Sequence, residues 1–330
     1  MNKIFRKDVY INMSSIEYKT TIVTFYFNLK NLRDATPSVR TQEFYMEKGR
    51  ATLKLAYPMV IFCDEKTYGF IKEIRDQEVH DKTLTKYVVK NLTEYDFYKE
   101  NWDIIQANRK HFAYCYNESN RNTSSYFLTC MFKVQALYIA KQRNYFDTPY
   151  YAWIDFGGSH ILRNFDEASR KMVENPNPKI SLCYIHYRGK EELSDMRLFY
   201  ANGGHCCVAA TAFTVQKEYI NRFYNGIFSI FHETLFHEVG HSDEQTFAYY
   251  YDRYPDTCNI YYGDYYSILT NYHGITGDIG SIRHYFIEQA LNKGRPDLAK
   301  ECAQKVIQSV EEGKLQIGKD DLQFVQGLVG

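Results

Sequence analysis

The segment Tyr150-Tyr-Ala-Trp-Ile-Asp-Phe-Gly-Gly-Ser-His160 joins a run of aromatic and apolar residues to one acid and a pair of glycines. The apolar run predicts a short buried strand, and Asp155 stands where that strand ends. Ligands of open α/β sheets bind beyond the carboxyl ends of the strands, where a carboxylate is a suitable ligand for Mg²⁺ or a similar cation. Asp155 could equally cap the turn that the two glycines introduce, and the segment alone leaves both interpretations open.

The composition narrows the class of protein. The 330 residues could form one large domain or two smaller ones, and 40 basic residues balance 40 acidic ones, which argues against a dedicated nucleic-acid binder. The chain is rich in aromatic residues, with 31 Tyr and 22 Phe, which suit either contacts with sugars and bases or half-buried packing. Eight scattered cysteines without a C-x-x-C motif disfavour a disulfide framework or a structural zinc site.

The same features predict a cytoplasmic protein. Reduced, buried thiols are typical of the cytosol, and the first residues, Met1 to Asp8, lack the apolar core of a signal peptide. No apolar run approaches the length of a membrane span, so we expect no transmembrane segment.

The order of elements along the chain is typical of a doubly wound α/β fold. Strands are expected at 20–27, 58–63, 83–90, 150–155, 180–187 and 206–215, and helices at 38–55, 66–77, 132–143, 166–173, 217–236 and from Ser242 onward. Ser38 and Ser242 are the expected N-caps, with Gln245 completing a capping box. Residues 91–127 show no clear period and predict loop and short helices, whereas residues 282–330 contain two helical patterns. Asp64 follows the second strand as a ribose-binding acid would, but no G-x-G-x-x-G motif precedes it.

His237-Glu-Val-Gly-His241 matches the H-E-x-x-H signature of zinc proteases, in which one helix carries both histidines. Gly240 would lie inside that helix at a cost of about 1 kcal/mol relative to alanine. Ser242-Asp243 is also a typical helix start, so we expect one helix to end here and another to begin. The two histidines would then lie off a common face, and the zinc metalloprotease is the less favoured alternative.

Two further residues are candidates for chemistry. Asp243 is expected at a helix N-terminus, where the helix dipole keeps a carboxylate ionised, and it could stabilise an oxocarbenium ion or act only as a cap. His273 is expected in a loop, and with Asp155 it could complete the shell of a first-row metal ion.

Four segments resemble the bacterial HtrL/YibB-type family, whose members are linked to surface-polysaccharide synthesis. They are Thr21-Ile-Val-Thr-Phe25, Arg40-Thr-Gln-Glu-Phe-Tyr45, Pro58-Met-Val-Ile-Phe62 and Trp153-Ile-Asp-Phe-Gly157. More broadly, the chain is similar to GT-A glycosyltransferases in the order of four features. These are an N-terminal α/β half of the nucleotide-binding type, a W-x-D-x-G strand end, a Gly-Gly hinge and an Asp-Glu-Gln run. The resemblance covers about residues 20–275 and implies a GT-A-like, Rossmann-type mixed sheet flanked by helices. It divides the chain into a domain at 1–281 and a helical C-terminal extension at 282–330 on the same core.

The resemblance also implies roles for individual residues. Asp155 would be the surviving acid of a D-x-D motif whose other acid is replaced by Gly157, and His273 would be the second ligand of Mn²⁺ or Mg²⁺. Thr24, Phe25 and Asp64 would hold the base and ribose of a nucleotide, and Arg40 and Lys133 the diphosphate or donor sugar. The donor or acceptor sugar would contact Gly203, Gly204, His205 and Glu244, and Asp243 would be the catalytic residue beside the anomeric carbon, as a base or as a stabiliser of the oxocarbenium ion.

The function implied is transfer of a hexose from a nucleotide diphosphate sugar, UDP-linked, to a glycan or related acceptor. Metal assistance is expected, and the Asp-Glu-Gln run resembles a motif of retaining transferases. A non-catalytic protein that binds nucleotides or carbohydrates is the alternative from another class. No nucleic-acid partner is expected, and a homodimer is left open as the assembly.

Overall fold

The computed structural model describes residues 17–37, 40–111, 123–201, 207–240 and 242–330. Within these ranges the chain forms a seven-stranded sheet covered by helices on both faces. The strands are β1 (Thr20–Tyr26), β2 (Met59–Cys63), β3 (Thr85–Val89), β4 (Tyr150–Ile154), β5 (Ile180–Tyr184), β6 (Ala212–Gln216) and β7 (Cys258–Tyr262). The helices of the main body are α1 (Gln42–Leu53), α2 (Glu65–Glu78), α3 (Asp96–His111), α4 (Ser124–Arg143), α5 (Phe165–Glu174), α6 (Lys190–Ser194), α7 (Met196–Ala201), α8 (Ile220–Phe236) and α9 (Asp243–Arg253).

The strand order is β3-β2-β1-β4-β6-β5-β7. All neighbouring strands are parallel except at β6, which runs antiparallel to both β4 and β5. The reversal places the start of β6 beside the end of β4, with Ala212 paired to Ile154. The residues that follow β1 and β4 and those that precede β6 therefore meet at one edge of the sheet. The expected α/β fold with a mixed, Rossmann-type sheet flanked by helices is confirmed.

The central strands are buried on both faces, which explains their nearly continuous apolar sequences. Alternate residues belong to different cores: Ile22 of β1 and Ile154 of β4 pack on the side of α1, α2 and α5, while Val23 and Trp153 pack on the side of α4, α8 and α9. All four side chains are fully buried.

The C-terminal segment adds the helices α10 (Ile279–Ile282), α11 (Glu288–Asn292), α12 (Pro296–Glu311) and α13 (Lys319–Val329), with one π-helical turn at Arg283–Ile287. Its Phe286 ring lies 5.2 Å from the ring of Tyr184 and 4.4 Å from that of Tyr262, so these helices share the core of the sheet. The domain boundary at residue 281 stays a prediction. None of the helices in the described ranges combines the length and apolar character needed to cross a membrane.

In the described part of region 91–127, which excludes residues 112–122, the expected loop and short helices are wrong for most residues. Instead, α3 has 16 residues and α4 begins at Ser124, ahead of the expected start at residue 132. The buried face of α3 includes Asn101 and Asn108, whose amides donate to the carbonyls of Phe97 at 2.8 Å and Leu235 at 2.9 Å. These two polar residues lie on the buried face, where apolar residues at helical spacing are expected. The sequence pattern therefore does not predict the helix.

Three local expectations also need correction. Helix α1 begins at Gln42, with Thr41 as its cap, while Ser38 lies outside the described residues. Helix α9 begins at Asp243 as expected, but Ser242 makes no capping hydrogen bond through its side chain, so no capping box forms. Strand β7 was not anticipated, because its Tyr residues merge with a longer Tyr-rich stretch.

A buried arginine holds the connection from α1 to β2. The side chain of Arg75 donates to the carbonyls of Leu53 at 2.6 Å, Leu55 at 2.7 Å and Tyr57 at 3.0 Å, and the residue is 1% exposed. Burial lowers its pKa to about 10, so it remains protonated at neutral pH. These bonds satisfy the carbonyls of Leu53 and Tyr57 and add a second donor to that of Leu55, which also accepts from the N–H of Tyr57 at 2.8 Å.

We expect Arg75→Met to lower the free energy of unfolding by at least about 2 kcal/mol, because the carbonyls of Leu53 and Tyr57 lose their donor and each such loss costs about 1–3 kcal/mol. Equilibrium urea unfolding measures the change. Arg50→Met is the matched control, since Arg50 is on the surface in an ion pair with Glu78 and its loss should cost less than about 1 kcal/mol. Equal losses in the two variants would contradict this assignment.

Candidate functional site

Asp155 lies directly after β4 and is held by both its backbone and its side chain. Its N–H donates to the Thr211 carbonyl at 2.8 Å, and its own carbonyl accepts from the Gly158 N–H at 2.9 Å, which closes the turn. Its Oδ1 accepts from the indole Nε1 of Trp153 at 2.7 Å. Because the backbone closes the turn, the carboxylate is not needed as a cap, and its side chain remains 32% exposed beside a cavity.

Lys133 of α4 places a charged ammonium between two carboxylates. Its Nζ lies 3.0 Å from Asp155 Oδ1 and 2.7 Å from Asp243 Oδ2, and it donates to the Ala210 carbonyl at 3.1 Å. The contact with the Ala210 carbonyl has the geometry of a hydrogen bond, and the contacts with the two carboxylates are ion pairs. The side chain is 10% exposed. The sequence analysis did not predict this pairing.

Asp243 is the first residue of α9, where the positive end of the helix dipole favours a carboxylate. Its Oδ1 also accepts from the N–H of Glu244 at 3.1 Å. The side chain is only 6% exposed. Asp243 is therefore a buried partner of Lys133 and not part of the described cavity wall.

Burial and the neighbouring charges shift the pKa values of Asp155 and Lys133. Burial raises the pKa of Asp155, and the charge of Asp243 adds to that effect while Lys133 opposes it. Although burial alone would lower it, the charges of Asp155 and Asp243 raise the pKa of Lys133 well above its ordinary value. The ammonium therefore stays protonated throughout the physiological range of pH.

A second cation of the cavity wall, Arg40, is oriented by a histidine. Arg40 Nη1 lies 2.7 Å from Nε2 of His160, whose Nδ1 contacts the Gly157 carbonyl. A guanidinium only donates, so Nε2 must accept, and the ring proton is on Nδ1, which donates to Gly157. Burial and the charge of Arg40 lower the pKa of His160 despite the opposing effect of the Gly157 carbonyl, which is consistent with a neutral ring. Arg40 also lies 4.7 Å from the ring centre of Phe44.

These groups surround a cavity of about 240 Å³ at the edge of the sheet where β1 and β4 end. Its wall carries the two cations Arg40 and Lys133 and the carboxylate of Asp155. Its aromatic lining includes Phe25, Tyr45, Tyr126, Trp153, Phe156 and Tyr265. A cavity with aromatic faces and fixed cations suits an anion that also carries an aromatic or sugar group.

The structure brings together four residues that the resemblance assigns to the donor. Phe25, Arg40, Lys133 and Asp155 all line this cavity. Asp243 joins them indirectly, through its ion pair with Lys133.

Three predicted site residues lie elsewhere. Thr24 is fully buried inside β1, and Asp64 is the N-cap of α2, where its two oxygens accept from the N–H groups of Thr67 at 2.8 Å and Asn28 at 2.9 Å. His273 lines a different cavity, and its Nε2 lies 2.7 Å from the Asn175 carbonyl. The structure thus does not bring His273 to Asp155 as a second metal ligand.

Of the four residues predicted to contact a sugar, the structure describes Glu244. Gly203, Gly204 and His205 lie outside the described residues. Glu244 lies in the first turn of α9 and is half-buried.

The expected break in the H-E-x-x-H segment is confirmed. Helix α8 ends at Phe236, Glu238 and Gly240 have left-handed φ values of 59° and 121°, and α9 begins at Asp243. His241 lies outside the described residues, but the backbone from His237 to Gly240 already leaves the helix. A zincin site requires both histidines one turn apart on a continuous helix, so the zinc-protease alternative fails.

The residues around Asp155 do not fit a divalent cation either. Mg²⁺ requires near-octahedral oxygen ligands, whereas Asp155 Oδ1 already faces the Trp153 indole and the Lys133 ammonium. Asp243, the nearby second acid, is paired with the same ammonium. In the part of the chain that the structure describes, no group of three or more His, Cys, Asp or Glu could hold a metal ion.

Sequence reasoning gave no role to His160, Trp153 or Tyr126. His160 and Trp153 belong to the same short segment as Asp155, so the sequence alone could have predicted that they lie near it. Tyr126 lies in a region expected to form loop and short helices, and its place in the cavity wall depends on α4 beginning at Ser124.

The similarity to solved structures is distant. The chain is similar to mouse xyloside xylosyltransferase 1 in its apo form, with 10% identity, a TM-score of 0.40, and coverage of 73% of this chain and 84% of that one. It is also similar to 4-diphosphocytidyl-2C-methyl-D-erythritol synthase from Anaerococcus prevotii DSM 20548, with 9% identity, a TM-score of 0.35, and coverage of 82% and 96%. Any assignment of function therefore depends on the chain's own residues.

No curated protein matches the sequence. A family model does match, over residues 18–273, and it is described as a bacterial protein of unknown function (HtrL_YibB). That range contains the whole cavity wall, both acids and the Lys133 ion pairs. The chain belongs to the HtrL_YibB family.

Proposed function

We propose that this protein is a GT-A-like glycosyltransferase that binds a nucleotide diphosphate sugar in the cavity between Arg40 and Lys133. The observation that carries the proposal is the pairing of two fixed cations with aromatic walls at the edge of the sheet where β1 and β4 end. Ligands of α/β sheets bind at this edge, and a diphosphate linked to a base and a sugar presents both anionic and stacking surfaces.

The two cations of the cavity wall are each held by neighbouring side chains. His160 orients the guanidinium of Arg40, and Asp155 and Asp243 hold the ammonium of Lys133. Charged donors that are held in place before the ligand arrives contribute more to charge stabilisation than flexible ones, because little reorganisation is needed. Arg40 can also form two parallel hydrogen bonds to phosphate oxygens.

In the proposed reaction the bond between the anomeric carbon and the donor's phosphate oxygen breaks, and its electron pair leaves with the nucleoside diphosphate. Arg40 and Lys133 stabilise the charge that develops there. An acceptor hydroxyl forms the new bond to the anomeric carbon and gives its proton to a phosphate oxygen of the leaving group. Asp155, the more exposed of the two acids, faces the cavity and stabilises the positive charge of the sugar ring.

Asp243 has a different role from the one first expected. Because its side chain is 6% exposed and paired with Lys133, we assign it to positioning the ammonium and not to contact with the anomeric carbon. The choice of a UDP-linked hexose, a glycan acceptor and retention of configuration comes from the family resemblance alone.

A nucleotide- or carbohydrate-binding protein without turnover is the second candidate. It is favoured by the fact that Asp155 and Asp243 share one ammonium, which leaves neither acid as an unpaired base. Both candidates predict binding of a nucleoside diphosphate, and only the transferase predicts release of that diphosphate from a nucleotide sugar.

We expect UDP, among a panel of UDP, GDP, CMP and ADP, to raise the melting temperature. At a hundred times its Kd a ligand adds about 2.7 kcal/mol to stability. Arg40→Ala should weaken binding about 10- to 100-fold, because hydrogen bonds to charged groups contribute about 1.5–3 kcal/mol. Arg50→Ala is the control, since Arg50 pairs with Glu78 on the surface and does not line the cavity. If no nucleotide shifts the melting temperature, binding in this cavity is refuted.

We expect the protein to hydrolyse a UDP-hexose slowly when no acceptor is present, with release of UDP as the measured signal. Asp155→Asn should reduce that rate at least about 100-fold while UDP affinity changes little. The reason is that the carboxylate stabilises the positive charge of the transition state, which bound UDP does not have. Asp147→Asn is the control, since Asp147 is a surface acid paired with Lys217. Nucleotide binding by the wild-type protein without release from any nucleotide sugar would favour the binding protein.

A further inference from the structure

Lys133 meets two requirements of a site that binds a diphosphate. Such a site needs a positive charge beside the leaving group, and that charge must be held in place. The Lys133 ammonium lines the cavity and is fixed by Asp155 at 3.0 Å, Asp243 at 2.7 Å and the Ala210 carbonyl at 3.1 Å. It therefore lies among the acids that a divalent cation would need as ligands.

We propose that the Lys133 ammonium supplies the fixed positive charge for the donor's diphosphate, so that the protein binds this group without a divalent cation. The inference rests on the proposed function for the identity of the donor. The cation site itself is independent of which sugar, base or acceptor is used.

A divalent cation bound through Asp155 Oδ1 or Asp243 Oδ2 would compete with the ammonium for that oxygen. Asp155 Oδ1 already accepts from the Trp153 indole at 2.7 Å and faces Lys133, and Asp243 Oδ2 faces Lys133 as well. A cation bound to both acids would have to displace the ammonium or lie against it, and like charges at such distances repel strongly. The chain also has Gly157 where a D-x-D motif would supply a second acid.

Lys133 is not placed to move aside. Its side chain is 10% exposed, and it lies in the middle of α4 between the fully buried residues Phe132 and Val134. Its Nζ is 5.8 Å from the ring centre of Trp153, which is itself fully buried. If the ammonium left, Asp155 and Asp243 would lose the positive charge that pairs with both of them, which is unfavourable at low exposure.

Two cations face the cavity, although the charges around it balance. Arg40 and Lys133 are offset by Asp155 in the wall and by Asp243, which is paired with Lys133, while His160 accepts from Arg40 and is neutral. Arg40 is oriented by His160 and Lys133 by two acids, so both cations are fixed before a ligand binds.

The test is binding of UDP and of inorganic pyrophosphate to the full chain by calorimetry, in EDTA and in Mn²⁺ after removal of EDTA. We expect UDP and pyrophosphate to bind in EDTA, each with a Kd within about threefold of its value in Mn²⁺. Binding that requires Mn²⁺, or no binding of either probe under both conditions, overturns the inference.

A substitution of Lys133 tests whether its ammonium is the charge that binds the two probes. Lys133→Met should weaken both probes at least tenfold in EDTA, and unchanged binding overturns the inference. Because this variant leaves the buried Asp243 and the partly exposed Asp155 without a cation, the double variant Lys133→Met with Asp243→Asn provides a folded alternative with the same expected loss. Lys141→Met is the control, since Lys141 lies on the same helix and its ammonium contacts only the Asn221 side chain on the surface.

The outcomes separate this inference from the proposed function. If UDP and pyrophosphate bind without metal and depend on Lys133, but no nucleotide sugar is consumed, the cation site stands and the transferase proposal fails. If nucleotide sugars are consumed only when Mn²⁺ is present, the transferase proposal stands and the inference about Lys133 fails.

Discussion

The ion pairs of Lys133 join three separate parts of the fold. Lys133 belongs to α4, Asp155 follows β4, and Asp243 begins α9. Charges with so little exposure are tolerated only when they are paired, and removing one partner of a buried pair typically costs about 3–5 kcal/mol. The position of α9 against α4 and the sheet is therefore coupled to the site. A shift of any of the three elements would leave a buried charge without its partner.

The break between α8 and α9 provides the geometry for this arrangement. Gly240 has φ of 121°, and a Cβ at that position would lie 2.6 Å from Cζ of Phe127, so a side chain there would be strained in two ways. Glu238 also adopts a left-handed conformation. The chain thereby ends one helix and starts the next with Asp243 at its N-terminus. The resemblance to a zincin motif is a by-product of this turn.

The antiparallel direction of strand β6 also determines the geometry of the site. Because it runs antiparallel to β4, the residues before it lie beside the end of β4 and supply two backbone carbonyls to the site. The Thr211 carbonyl accepts from the N–H of Asp155, and the Ala210 carbonyl accepts from Lys133. An all-parallel sheet would place the carboxyl end of that strand here, and different residues would complete the cluster. The polar cavity wall thus depends on strand order as much as on the side chains themselves.

The sequence by itself determined the local features of this protein. The apolar runs predicted β1, β2 and β4, Asp155 was expected where β4 ends, and Gly240 with Ser242 and Asp243 predicted the end of one helix and the start of the next. Periodicity, turn chemistry and helix-start signals act over a few residues, which is why they can be recognised without a structure.

Only the tertiary structure decided which of these features meet. It placed Lys133 between Asp155 and Asp243, and it put His273 in another cavity although a metal shell with Asp155 had been expected. It also showed that α3 buries Asn101 and Asn108, which concealed the helix. These outcomes depend on strand order and helix packing between segments far apart in the chain. Since no local pattern encodes such distances, the charge cluster could be identified only once the sheet and helices were in place.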